Sequence, residues 1–206
     1  MEKIHFFIDG YNLYHSLINK KYSHLKKYKW LDLKSLANNL IMKKTQIVSD
    51  IYYFTSYHWD NYKNKIDRHK EYIKALENSG VKVIFGKFKE KTRRCSNCKK
   101  DFKTHEEKQT DVNIALHLLN LAYKEEYHGA FILSGDSDLI PAIKNVKKEF
   151  SEKKITIILP PFSRSDELKK TADYNIKLNE NHLINNQFPE MINKLDGTLI
   201  KKPNLW

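Results

Sequence analysis

The sequence predicts an α/β protein whose mainly parallel central sheet carries helices on both faces. Segments rich in apolar, β-branched and aromatic residues alternate with segments of helical period through most of the chain, a pattern that favours a parallel sheet. The first such segment, 4–8, is almost entirely apolar, as expected for a strand buried on both faces. With 206 residues, of which 40% are hydrophobic, the chain can bury the core of a single domain.

The individual elements follow from hydrophobic period and turn residues. Strands are predicted at 4–8, 47–55, 81–85, 130–133 and 155–159. Helical patterns cover 11–20, 33–43, 61–78, 111–124 and 138–149. In the fourth helix, one face predicted to pack on the sheet comprises Val112, Ala115, Leu116, Leu119, Ala122 and Tyr123.

Two segments interrupt this rhythm. Residues 87–108 are polar and lysine-rich around Cys95-Ser-Asn-Cys98, and their length predicts an inserted hairpin. Residues 179–206 are rich in asparagine with scattered apolar positions, and we expect them to wrap the domain as irregular structure. The predicted organisation is therefore a domain over 1–178, with the hairpin inside it, and an extension over 179–206 that packs on the domain.

Composition narrows the class of partner and the compartment. Lys and Arg number 37 against 25 Asp and Glu, so the formal net charge is +12 and favours a polyanionic partner. No apolar run approaches the roughly 18 residues of a membrane span, so no membrane partner is expected. An acid within the apolar start argues against a secretory signal, and two cysteines in a single Cys-x-x-Cys fit a reducing, cytoplasmic setting.

Acidic residues gather where predicted strands end. Asp9 follows the first predicted strand, and Asp136 and Asp138 follow the fourth predicted strand. Asp111 is the first residue of the predicted helix that precedes the fourth strand. Each alone fits a turn, a polar loop or a helix cap. Together, at the carboxyl edge of a parallel sheet, they would repel one another unless a cation lay between them. Mg²⁺ or Mn²⁺, bound by carboxylate oxygens, would suit hydrolysis of a phosphodiester.

Three motifs carry a family resemblance. They are FIDGYNL at 7–13, EKQTDVNIA at 107–115 and LSGDSDLIP at 133–141, with further similarity over 68–86 and 165–173. The chain resembles the NYN domain of the LabA/DUF88 group, within the PIN-like nuclease superfamily. The resemblance implies a three-layer α/β/α sandwich and metal-dependent cleavage of RNA by an endoribonuclease.

The same resemblance implies roles for individual residues. Asp9, Asp111, Asp136 and Asp138 fall on the acidic metal positions, and Asn12 on the amide beside the first acid. We expect Asp9 and Asp136 to bind the metal directly, because both sit at strand ends. Asp111 and Asp138 would hold metal-bound water or a second ion. Asn12 would hydrogen-bond an acid or the scissile phosphate.

The cysteine motif suggests a zinc site. Cys95 and Cys98 have zinc-knuckle spacing, and His105 is a candidate third ligand, but a closed structural site needs four. A fourth ligand could come from His58, His69, His117, a carboxylate or the same hairpin of a second copy, which would make a homodimer. The alternative is two reduced thiols in a turn.

Basic residues of the hairpin are candidates for binding nucleic acid beside the acids. They are Lys91, Arg93, Arg94, Lys99, Lys100, Lys103 and Lys108. A second basic stretch, 20–29, interleaves lysines with Tyr22, Tyr28 and, just beyond it, Trp30. These rings either stack on unpaired bases or fold back onto the core.

Three other functions are compatible with part of the sequence pattern. A catalytically silent RNA-binding or scaffold protein of the same fold is the main alternative to a nuclease. A haloacid-dehalogenase-type phosphohydrolase needs a second acid two residues after the first, where this chain has Tyr11. DNA as the substrate is not excluded, since only the resemblance favours RNA.

Overall fold

The computed structural model describes residues 1–57, 63–194, 196–204 and 206, and it leaves the side chains of 63, 88–90 and 102–108 undescribed. In this part of the chain, the central sheet has six strands, which are β1 (Glu2–Asp9), β2 (Gln46–Thr55), β3 (Lys82–Phe85), β6 (Gly129–Leu133), β7 (Lys154–Leu159) and β8 (Tyr174–Lys177). All six are parallel, in the order β3-β2-β1-β6-β7-β8. The predicted α/β fold is confirmed.

Helices cover both faces. They are α1 (Gly10–Ile18), α2 (Leu33–Leu40), α3 (Lys63–Asn78), α4 (Thr110–Tyr123), α5 (Ile140–Glu149), α6 (Asp166–Thr171) and α7 (Glu180–Ile184), with 3-10 segments at Lys20–Tyr28 and Ser137–Leu139. Positions 61 and 62 of the predicted third helix lie outside the described residues. No helix of the described ranges is both long enough and apolar enough to cross a membrane.

Strand β1 divides the core in two because its side chains alternate between faces. Ile4, Phe6 and Ile8 pack with α1, α2 and α3 in one cluster of buried residues. Phe7 packs with α4, α5 and α6 in the other. The near-continuous apolar run at the start of the chain thus fills two separate layers, as predicted.

The predicted hairpin is also present. Strands β4 (Lys87–Arg94) and β5 (Asp101–Lys108) pair antiparallel outside the central sheet, and the two cysteines lie in the turn between them. Only Gln109 separates β5 from α4. The hairpin therefore leads directly into the helix that carries Asp111.

Two sequence-based expectations need correction. Helix α4 buries Ile114, Leu118 and Leu121, while Val112 and Leu116 are each 58% exposed. Of the predicted face, Ala122 is buried and Ala115 and Leu119 pack against the same cluster, so the buried face of α4 overlaps the predicted one but is rotated toward Ile114 and Leu118.

The tail is the second correction, because 179–206 contains α7 and a small antiparallel pair, β9 (Met191–Asn193) and β10 (Leu199–Lys201). Its apolar residues Leu183, Phe188 and Ile200 are buried in the cluster around Trp30. Tyr28 and Trp30 of the basic stretch are themselves buried, so these two rings belong to the core rather than to a stacking surface.

Candidate metal centre

The carboxyl ends of β1 and β6 bring the sequence motifs together. The two strands are parallel neighbours, with Ile8 opposite Leu133, so the residues that follow them share one edge of the sheet. Helix α4 packs on the same side as Phe7 and directs its first turn to this edge. Sequence positions 9, 111 and 134–138 thus converge because each ends a strand or begins a helix at the same place.

Three aspartates form a cluster at this edge. One carboxylate oxygen from each of Asp111, Asp136 and Asp138 can be chosen so that all three lie within 4.8 Å of one another. Asp111 and Asp136 are half-buried and Asp138 is exposed, which leaves one side of the cluster open to solvent. The local folding is specific, because Asp136 accepts the backbone N–H of Asp138 at 3.0 Å and so begins the 3-10 turn.

Asp9 lies outside this trio and anchors the loops around it. It is 2% exposed, and its Oδ1 accepts the backbone N–H of Asn12 at 2.9 Å, which caps α1. Its Oδ2 accepts both the Asn12 side-chain amide at 2.9 Å and the Ser134 hydroxyl at 3.0 Å. Both oxygens of this buried carboxylate therefore accept hydrogen bonds from α1 or from the residue after β6.

The network continues to the clustered acids. The Ser134 hydroxyl also accepts the backbone N–H of Asp136 at 3.0 Å. The Asn12 side-chain oxygen accepts the backbone N–H of Gly135 at 3.2 Å. Asp9, Asn12 and Ser134 thus fix the loop that presents Asp136, as the outer partners of a metal site commonly do.

Two glycines make room for this packing. A Cβ on Gly10 would lie 2.5 Å from Cζ of Tyr53 and 2.8 Å from the backbone oxygen of Phe54. A Cβ on Gly135 would collide with the hydroxyl of Ser163. The glycine of each motif is therefore explained by close approach of neighbouring segments.

Ser163 is a residue of this site that the sequence motifs do not include. It lies in the loop after β7 and reaches the backbone of Gly135 beside the acids. The sequence could have indicated it, because ligands collect at the carboxyl ends of parallel strands, and this rule applies to the loop after β7 as it does to the residues after β1 and β6.

The trio fits a divalent ion. Mg²⁺ binds oxygen ligands at about 2.1 Å in an octahedron, so opposite ligands are about 4.2 Å apart. Oxygens within 4.8 Å of one another can reach one such ion with little movement of their side chains. The open side leaves room for water and for phosphate oxygens.

The predicted basic and zinc-binding residues lie on the hairpin. Lys91, Arg93, Arg94, Lys99 and Lys100 are exposed, and Arg94 Nε donates to the backbone oxygen of Lys99 at 2.9 Å. The side chains of Lys103, His105 and Lys108 lie outside the described part of the structure, as does His58. His69 contacts the hydroxyl of Thr55 and His117 contacts the backbone oxygen of Asn113.

Cys95 and Cys98 form a tight turn. The backbone N–H of Cys95 donates to the backbone oxygen of Lys100 at 2.9 Å, and the backbone N–H of Lys99 donates to the backbone oxygen of Cys95 at 3.0 Å. Hydrogen bonds from the backbone of Cys98 and Asn97 and from the Cys98 side chain lower the pKa of the Cys95 thiol. The turn thus favours a thiolate, the form that binds metal.

The parallel sheet with helices on both faces is that of a PIN-like α/β sandwich, and the clustered aspartates lie at its carboxyl edge. The chain belongs to the NYN domain family, whose profile matches residues 3–179. The predicted NYN resemblance is therefore confirmed, and NYN domains are generally ribonucleases.

Structural comparison agrees on the fold. A crystallised protein of unknown function from Vibrio parahaemolyticus superposes with a TM-score of 0.59 at 19% sequence identity. The match covers 91% of this chain and 96% of that chain. No curated protein matches the sequence significantly.

Proposed function

We propose that this protein is a divalent-metal-dependent endoribonuclease. The observation that carries the proposal is the cluster of Asp111, Asp136 and Asp138 at the carboxyl edge of an NYN fold. The charge pattern supports it, since a chain of net charge +12 places three acids together at one edge.

The residues divide into ligands and supports. Asp111, Asp136 and Asp138 would hold Mg²⁺ or Mn²⁺, which when bound would activate water toward a phosphodiester. Asp9, through its hydrogen bonds to Asn12 and Ser134, positions the loop of Asp136. Of the two roles predicted for Asn12, the hydrogen bonds to Asp9 and Gly135 favour the contact with an acid over the contact with the scissile phosphate.

The hairpin would hold the substrate backbone. Its exposed cations lead through Gln109 to α4, so phosphates bound along the hairpin would approach the acids. Such contacts are electrostatic and independent of sequence, so they suit RNA and do not exclude DNA.

A cleavage assay tests the proposal. Single-stranded and structured RNA, with DNA of the same sequence, are incubated with the full chain and Mg²⁺ or Mn²⁺. The Asp111→Asn variant should lose cleavage, whereas Asp166→Asn, which removes an exposed acid on α6, should keep it. Binding of RNA without cleavage in any metal would instead support the silent RNA-binding alternative and overturn the proposal.

We further propose that the hairpin turn binds zinc through Cys95 and Cys98. Two thiolates leave two positions of a tetrahedral site to fill. The backbone of His105 pairs with Glu90, four residues along β5 from Asp101, so it lies about 13 Å from the turn. This register favours a second copy of the hairpin over His105 as the source of the missing ligands, and it makes the zinc-bound form a homodimer.

Metal analysis together with the solution mass tests the zinc proposal. One zinc per two chains, with dissociation of a dimer after chelation, is expected, and the Cys95→Ser/Cys98→Ser variant should be zinc-free and monomeric. One zinc per chain in a monomeric protein would instead support a ligand set within a single chain that includes His105. Absence of zinc after purification and reconstitution would leave two reduced thiols, the alternative reading.

Three finer assignments complete the proposal. We place the chain in the LabA/DUF88 group on its three motifs, in the cytoplasm on its cysteine content, and divide it into a nuclease domain over 1–178 and an extension over 179–206.

A further inference from the structure

A cavity of about 320 Å³ opens at the carboxyl ends of β1 and β2. Gly10, Thr55 and Ser56 line its sheet side, and residues of α1 and α3 line the rest. It lies on the face of the sheet opposite to α4 but at the same edge as the clustered acids. Its size is at the lower end of the range of small-ligand pockets, roughly 300–1,000 Å³.

The lining of the cavity is cationic. Lys29, Lys65 and Arg68 supply the positive charge, His15 and His69 add imidazole rings, and none of the described lining residues is acidic. Within the described part of the chain, the buried Nε of Arg68 has no hydrogen-bond partner. A buried donor of this kind is costly, so rotation of the guanidinium toward an anion in the cavity would be favourable.

Lys29 lies close enough to two other cations to be affected by their charge. Burial, reinforced by the nearby cations Arg68 and Lys26, lowers its pKa to about 8. Its ammonium lies 5.1 Å from the ring centre of Trp206. An anion between Lys29 and Arg68 would relieve the repulsion that the two cations impose on each other.

Aromatic rings form the remaining walls. Tyr11 and Tyr14 of α1 are 43% and 39% exposed, and the Tyr11 ring lies 4.1 Å from that of His15. The hydroxyl of Tyr72 donates to the backbone oxygen of Leu31. Flat rings beside cations are the combination that holds a base and its phosphate.

We propose that this cavity binds one nucleotide unit, with its phosphate on Arg68 and Lys29 and its base against the rings of α1. The assignment rests on the proposed nuclease function, because it makes the occupant a nucleotide of the substrate strand next to the scissile bond. Gly10, in the cavity wall, directly follows Asp9, which holds the loop of Asp136. A strand crossing the end of β1 would therefore meet the cavity on one side and the acids on the other.

Calorimetric titration of the full chain in EDTA tests the proposal with three probes: adenosine 5′-monophosphate, adenosine and inorganic phosphate. Without metal the clustered acids repel phosphate, so binding reports on the cavity. We expect the monophosphate to bind at least tenfold more tightly than either fragment. Arg68→Gln and Lys29→Gln should each weaken it at least fivefold, while Lys170→Gln, an exposed lysine on α6, should not.

Further variants separate folding from binding. Each variant is compared with wild type by thermal unfolding, and Tyr14→Ala provides a substitution on the helix surface that should weaken the monophosphate more than inorganic phosphate. The proposal is overturned if the monophosphate does not bind, if phosphate alone binds equally well, or if the Arg68 and Lys29 variants bind normally. It is also overturned if Asp136→Asn alone abolishes binding.

The outcomes distinguish this inference from the nuclease function. If the protein cleaves RNA but does not bind the monophosphate, the nuclease function is supported and the nucleotide-binding cavity is ruled out. If the protein binds the monophosphate through Arg68 but cleaves no RNA, the nucleotide-binding cavity is supported and the nuclease function is ruled out.

Discussion

Among the residues that the structure describes, the two sides of strand β1 at its carboxyl end carry opposite charge. Toward β6, Asp111, Asp136 and Asp138 bring three carboxylate oxygens within 4.8 Å of one another. Toward β2, the cavity gathers Lys29, Arg68 and other cations. The acidic side needs a cation before it can accept a phosphate, whereas the basic side does not. Metal should therefore control catalysis on one side and leave nucleotide binding on the other unchanged.

Removal of metal is the strongest test of that difference. In excess EDTA we expect RNA cleavage to fall to background, while binding of adenosine 5′-monophosphate stays within twofold of its value in buffer alone. Cleavage is followed on a labelled RNA and binding by calorimetry. Restoration of cleavage by added Mn²⁺ is the control, and cleavage that persists in EDTA would contradict a metal site.

Substitution of one acid should reproduce the loss on the acidic side alone. Loss of an outer partner costs metal sites about 10–100-fold, so loss of a ligand in Asp136→Asn should lower single-turnover cleavage by about 100-fold or more. Asp9→Asn should have a smaller effect through misplacement of the loop. Monophosphate binding should not change in either variant, and an equal loss of binding and cleavage would mean that the two sides are one site.

Substitution of the two motif glycines, Gly10 and Gly135, tests how closely the segments pack on the two sides of β1. In Gly10→Ala the new methyl meets the ring of Tyr53 and the backbone oxygen of Phe54, and overpacking of this kind costs about 1–3 kcal/mol of unfolding free energy. In Gly135→Ala the methyl meets the hydroxyl of Ser163, which can rotate away, so a smaller loss is expected. Denaturant unfolding measures both, and a larger loss for Gly135→Ala would contradict the packing described.

The smallest effect is a pH dependence confined to the basic side. Since the pKa of Lys29 is about 8, its charge is lost as pH rises from 7 to 9, and affinity for the monophosphate should fall several-fold over this range. The phosphate, whose second pKa is about 6, stays doubly charged. Lys29→Arg keeps its charge and should abolish the fall, and a fall of equal size in that variant would assign it to another group.

The candidate acids could be predicted because each lies at the end of an element that the sequence marks clearly. Asp9 and Asp136 follow apolar strands, and Asp111 begins a helix of regular period, so a rule about parallel sheets suffices to bring them together. Their grouping could not be predicted, because it depends on the hydrogen bonds of Asn12 and Ser134. Those bonds draw Asp9 into the protein and leave the other three acids clustered.

The sequence by itself determined the alternation of strands and helices, the inserted hairpin and the edge at which the acids lie, because these follow from local periodicity and composition. Only the tertiary structure decided which stripe of α4 is buried and that Lys29, Arg68 and Trp206 meet around one cavity. Those residues come from segments far apart in the chain. Their convergence depends on how helices cross the sheet and on where the tail packs, and no short-range pattern encodes either.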